Sequence, residues 1–190
     1  MGYYPISLEM SNRPCLVIGG GAVAQRKAEA LLAVGALVTV ISPKLTEQLS
    51  SWVGSGKIAH IAREYEDGDL DGYEIVFVAT DSNDVNKTVA QEGRIRSVWV
   101  NAADDPANCD FILPSVLRRG DLTVAVGTGG ASPALAKAIR EDLEEYIPED
   151  YSLLTRVTGE VRRELRERSL VPSADAWRNT LNDEFRQLIR

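Results

Sequence analysis

Short apolar runs alternate with amphipathic stretches along the first hundred positions. Cys15-Leu16-Val17-Ile18 is one such run and ends in Gly19-Gly20-Gly21. From Ala22 the period becomes helical, with Val23, Ala24, Ala28, Leu31 and Leu32 on one face and Gln25, Arg26, Lys27 and Glu29 elsewhere. Gly35 is placed to stop that helix just past its C-cap. Residues 37–41 read as a second buried strand, which completes a βαβ unit. The pattern then predicts a short helix over 45–53, strands over 57–62 and 74–79, a helix over 82–93 and a strand over 97–102. Strands that are apolar throughout belong to parallel sheets covered on both faces. The expected fold class is therefore α/β, with a doubly wound parallel sheet.

After Pro106 the pattern changes. Residues 111–117 and 122–126 read as two strands around a turn at Gly120-Asp121. Gly127-Thr128-Gly129-Gly130-Ala131-Ser132-Pro133 then opens a helix running to about residue 145, with Ser132 suited to the N-cap and Pro133 to the first helical position. From Tyr151 the chain is helical in pattern and densely charged. So short a helical region buries little core alone, so it is expected to pack on the rest of the molecule or on a second copy.

With 190 residues, 44% hydrophobic and 26% charged, the chain is sized for one domain or one plus a small appendage, and wholesale disorder is excluded. No apolar run is long enough to span a bilayer, and the first ten residues lack the basic start and apolar stretch of a signal peptide. A net charge of −7 disfavours nucleic acid and anionic membranes as partners. Cys15 and Cys109 have no CxxC spacing, which fits a reducing cytoplasm, and both are expected to be buried as small hydrophobes. A single histidine, His60, excludes a histidine-built metal centre within one chain, and no metal site is expected.

The candidate chemistry starts with Gly19-x-Gly21-x-x-Ala24, a dinucleotide fingerprint between a strand and a helix. Gly19 permits the tight turn and Gly21 a close backbone approach, while Ala22 and Val23 open the helix whose N-terminus faces phosphate charge. The alternative is a glycine loop needed only for the turn. An acidic residue usually closes the second strand to hold the ribose of NAD, but here the chain reads Ser42-Pro43-Lys44. Ser42 could bond a ribose and Lys44 a 2′-phosphate, so these residues leave NAD and NADP both open. Thr80 follows the next strand and could face the cofactor; equally, Asp81 or Ser82 there could merely cap a helix. Asp104 and Asp105 offer a base beside a bound nicotinamide, or an ordinary Asp-Pro turn. Thr128, Gly129, Gly130 and Ser132 suit an amide nest for substrate carboxylates, with Arg118, Arg119, Lys137 and Arg140 as charges nearby or as solvated surface.

Taken together, these residues resemble the precorrin-2 dehydrogenase family, also met as the N-terminal module of siroheme synthase. The resemblance runs in order from Tyr4-Pro5-Ile6 through Cys15 to Gly21, Arg26-Lys27, Ala79-Thr80-Asp81, Val85-Asn86, Val100 to Asp104, Phe111 to Ser115, and Val124 to Pro133. It implies a Rossmann-like domain over 1–113, a small α+β dimerisation region over 114–148 and a helical C-terminal tail over 149–190. It further implies NAD-dependent conversion of precorrin-2 to sirohydrochlorin by a cytoplasmic homodimer, and Asp104 as the key aspartate. Some family members also insert Fe²⁺ into sirohydrochlorin. The competing reading is a Rossmann module that senses NAD(H) without catalysis.

Overall fold

The computed structural model describes residues 2–103, 105–182 and 185. It divides into two compact units, Met1–Ile112 and Leu113–Arg190.

In the first unit, strands β1 (Pro14–Ile18), β2 (Leu37–Ile41), β3 (Ala59–Ile61), β4 (Ile75–Val78) and β5 (Trp99–Ala102) form one parallel sheet in the order β3-β2-β1-β4-β5. Helices α1 (Ala22–Leu32), α2 (Glu47–Gly54) and α3 (Asn83–Arg96) cross over between them. Side chains alternate across a strand, so the sheet has two buried faces. Cys15, Val17, Val38, Val40, Ile75 and Phe77 meet Ala24, Ala28 and Leu31 of α1 on one face. On the other, Leu16, Ile18, Ile41, Val76, Val78 and Val100 meet Val89 of α3. The strand order reverses between β1 and β4, and the carboxyl ends of the strands at such a switch point are where open α/β sheets bind their ligands.

Several boundaries differ from the sequence expectation, for local reasons. Thr46 caps α2 through a bond from the Leu49 N–H, so that helix starts at Glu47. Helix α3 extends to Arg96 because Ser97 takes up the left-handed C-cap (φ 59), and β5 begins only at Trp99. The strand expected over 111–117 begins at Ser115 instead. Phe111 stacks edge-on against Phe77 at 5.6 Å, and its carbonyl accepts from the Asn101 side chain, so it belongs to the first unit.

In the second unit, β6 (Ser115–Arg119) and β7 (Leu122–Val126) form an antiparallel hairpin against which α4 (Pro133–Tyr146) packs, followed by α5 (Tyr151–Glu167) and α6 (Ala174–Thr180). Arg119 ties the hairpin to the end of α4 by donating to the Ile147 carbonyl at 2.9 Å. Among its described residues Leu117, Ala136 and Leu154 are the buried apolar ones, while Leu135, Ile139, Leu153, Val157 and Val161 remain exposed. No helix among the described residues is long and apolar enough to cross a membrane.

Candidate functional site

The glycine loop sits at the switch-point end of β1. Gly19 has φ +118, which an L side chain rarely adopts, and a Cβ there would collide with the Ala79 carbonyl at the end of β4. Gly20 is tighter still: its Cβ would overlap the Lys44 carbonyl and lie 2.7 Å from Ser42 Oγ. Its own carbonyl accepts from the Thr46 N–H at 3.0 Å, which laces the loop to the β2–α2 connection. Gly21, the N-cap of α1, has open space where its Cβ would go, and no side chain caps the first turn of that helix. Free amides, a helix dipole and room above Gly21, Ala22 and Val23 are what a pyrophosphate needs, so the residues present fit a dinucleotide.

Around this loop the other candidates take defined positions. The Ser42 hydroxyl donates to the Lys44 carbonyl at 2.7 Å and is buried, so it shapes the turn that displays exposed Pro43 and Lys44. His60 on β3 braces the same turn, with Nε2 at 2.9 Å from the Ser42 carbonyl. Thr80 donates to Oδ1 of buried Asn86 at 3.1 Å and accepts from the Ser82 N–H at 3.3 Å, while Ser82 also caps α3. Asp104 lies outside the described residues. Its neighbour Asp105 accepts from Asn108 Nδ2 at 2.7 Å, within a loop that carries the short 3₁₀ turn Pro106–Asn108.

Three residues beside this loop carry polar contacts that the sequence did not single out. Lys27 of α1 places Nζ 3.5 Å from Asn101 Oδ1 and 5.4 Å above the Phe77 ring. Asn101 is buried and donates through Nδ2 to the Phe111 carbonyl at 2.9 Å. Cys109 is not the buried hydrophobe expected: it is partly exposed, accepts from the Ala102 N–H at 3.2 Å and donates to the Ala102 carbonyl at 3.1 Å. Burial pushes its thiol up from the ordinary value, against a smaller lowering by the Ala102 contact. Among the described residues no cluster of His, Cys, Asp and Glu is arranged to hold a metal ion.

In the second unit, Thr128 closes a turn by donating to the Ser132 carbonyl and accepting from the Ser132 N–H, both at 3.0 Å. Gly129 (φ 62) and Gly130 (φ 84) form its exposed tip, and Ser132 caps α4 through the Leu135 N–H at 3.2 Å. Of the four cations considered as charges for this loop, three have acidic partners: Arg119 meets Glu149, Lys137 meets Glu141, and Arg140 meets Glu141 and Glu144. Arg118 is exposed.

A family model described as putative NAD(P)-binding matches residues 6–115, more than half of the chain. The chain belongs to that family. A second model, described as sirohaem biosynthesis protein central, matches residues 119–146, and the two bear out the resemblance stated from the sequence. Siroheme synthase of Methylobacillus flagellatus is 42% identical over 164 residues, which cover 86% of this chain and 35% of that protein. Siroheme synthase of Photobacterium profundum is 38% identical over 191 residues, covering 100% of this chain and 41% of the relative. The chain thus spans well under half the length of these curated relatives. Among solved structures, SirC, a precorrin-2 dehydrogenase, superposes with a TM-score of 0.79 at 29% identity, covering 97% of this chain and 92% of that one.

Proposed function

We propose that this protein oxidises precorrin-2 to sirohydrochlorin with NAD⁺. The observation that carries the proposal is the likeness to SirC over nearly the whole length of both chains, joined to a glycine loop whose geometry suits a dinucleotide. The reaction removes two electrons and two protons from the macrocycle. NAD⁺ supplies the hydride acceptor, and the protein orients the substrate against it and disposes of the remaining proton. Gly19, Gly21, Ala22 and Val23 hold the pyrophosphate, Pro43 and Lys44 border the ribose on the turn that Ser42 shapes, and Thr80 flanks the nicotinamide end. Asp104 accepts or relays the proton, and Thr128, Gly129, Gly130 and Ser132 bind substrate carboxylates. The chain acts as a cytoplasmic homodimer joined through residues 114–148, and Fe²⁺ is a second substrate for insertion into sirohydrochlorin.

The test is an anaerobic assay of precorrin-2 with NAD⁺, followed by sirohydrochlorin absorbance, with Fe²⁺ added afterwards. NAD⁺-dependent product formation, abolished in Asp104→Ala, supports the proposal. Measurable NAD⁺ binding without turnover overturns it in favour of an NAD(H)-sensing module. Metal insertion no faster than in the enzyme-free control removes the chelatase part alone.

A further inference from the structure

Among the described residues β5 is the last strand of the sheet, with β4 on one side and no strand on the other. On that open side four backbone groups of Val100 and Ala102 need partners; two adjacent residues reach all four, and the Ala102 carbonyl also accepts from the Asp105 N–H at 3.4 Å. The Asp110 N–H donates to the Val100 carbonyl at 2.8 Å, and the Asp110 carboxylate accepts from the Val100 N–H at 2.9 Å. The Cys109 sulfur accepts from the Ala102 N–H at 3.2 Å and donates to the Ala102 carbonyl at 3.1 Å, with the Asp105 carbonyl also in reach at 3.3 Å. Between these two pairs, Asn101 Nδ2 donates to the Phe111 carbonyl. After the carboxyl end of β5 the chain is therefore fastened back onto the same strand at Cys109 and Asp110. Asp105 lies on the segment so enclosed.

We propose that Cys109 and Asp110 are positioning residues, whose side chains fasten the segment that follows β5 back onto that strand and so set where Asp105 stands. The catalytic consequence rests on the dehydrogenase reading; the fastening itself does not. A thiol used only as apolar filling would be replaced better by alanine than by serine. A thiol used as both donor and acceptor would be replaced better by serine.

Four variants of the full chain separate these cases: Cys109→Ala, Cys109→Ser, Asp110→Ala and Asp110→Asn. The first readout is amide hydrogen exchange. Cys109→Ala should speed exchange at Ala102 and through 103–108 by about tenfold, the loss of roughly one hydrogen bond, with Val17 and Val40 in the sheet centre unchanged. Asp110→Ala, at an exposed position, should do the same at Val100. Serine and asparagine should restore most of the protection. The second readout is kinetic: the two alanine variants should lower kcat for precorrin-2 by about tenfold or more while NAD⁺ affinity stays within about twofold, again with rescue by the conservative variants. Unchanged exchange in the alanine variants, equal behaviour of alanine and serine at 109, or protection lost across the whole sheet would each overturn the inference. If the unaltered protein binds NAD⁺ and does not oxidise precorrin-2, the dehydrogenase reading fails alone, and the exchange pattern still decides whether these two residues hold the loop.

Discussion

The carbonyl oxygen of Lys44 fills the space that a Cβ on Gly20 would need. The second of the three consecutive glycines is thus fixed by the fold, whereas the third faces open space. Gly20→Ala should therefore cost stability, by about 2 kcal/mol or more, because backbone must move. Gly21→Ala, at φ −84, should unfold within a few degrees of the parent yet weaken NAD⁺ binding by about tenfold or more, because its methyl group would occupy the space above the helix N-terminus. Thermal unfolding paired with NAD⁺ titration checks both.

Glu92 is a buried carboxylate, 4% exposed, on the inner side of α3. It accepts from the Tyr65 hydroxyl, from the Gly68 N–H at 3.0 Å and from Arg96 Nε at 2.6 Å, clamping the 62–73 segment to the helix. Glu92→Ala would leave those three donors without their acceptor and should cost about 3–5 kcal/mol in urea unfolding. Glu92→Gln keeps an acceptor and should cost about half as much or less.

Burial pushes the Cys15 thiol from 9.0 up to about 11. The unfolded thiol thus ionises first. Its contribution to stability is complete below pH 9.0 and falls as pH rises toward 11. The loss is on the order of 1–3 kcal/mol across that window. Urea unfolding of the parent and of Cys15→Ala at about pH 8 and about pH 10.5 should show a steeper alkaline decline in the parent.

The turn at Thr128 uses its hydroxyl in both directions, so Thr128→Ser should keep it and Thr128→Val should open it. On the proposed function, the valine variant raises KM for the tetrapyrrole while NAD⁺ affinity is unchanged, and steady-state kinetics with separate cofactor titration reads the split. Ser132→Ala removes the α4 cap and should cost about 1 kcal/mol.

What the sequence disclosed was what short segments decide by themselves. The run from Cys15 through Gly21 to Leu32 carries its strand, turn and helix in local composition, and the structure follows it closely. Contacts between distant positions were hidden. Nothing near Gly20 in sequence announces the Lys44 carbonyl, and the fingerprint spacing drew attention to Gly19 and Gly21 instead. Apolar Phe111 looked like the start of a strand, because its partners Phe77 and Asn101 lie on other strands. Cys109 was read by its usual character as a small hydrophobe; its polar use comes from an open strand edge that no neighbouring residue marks. The aspartate at 104 rests on the family resemblance, since its own loop reads equally as an Asp-Pro turn, and the contacts of Lys27 and Asn101 became visible only once β4 and β5 were aligned.

The fastening of Cys109 and Asp110 onto β5 has a consequence for the molecule in a crowded cell. A bare sheet margin is a template on which stray extended segments add as new strands. Here the amides of Val100 and Ala102 are already engaged at one margin, and the other margin is β3, only three residues long. Among the described residues, then, one border is occupied and the other is short, which leaves little backbone on which a stray strand could add.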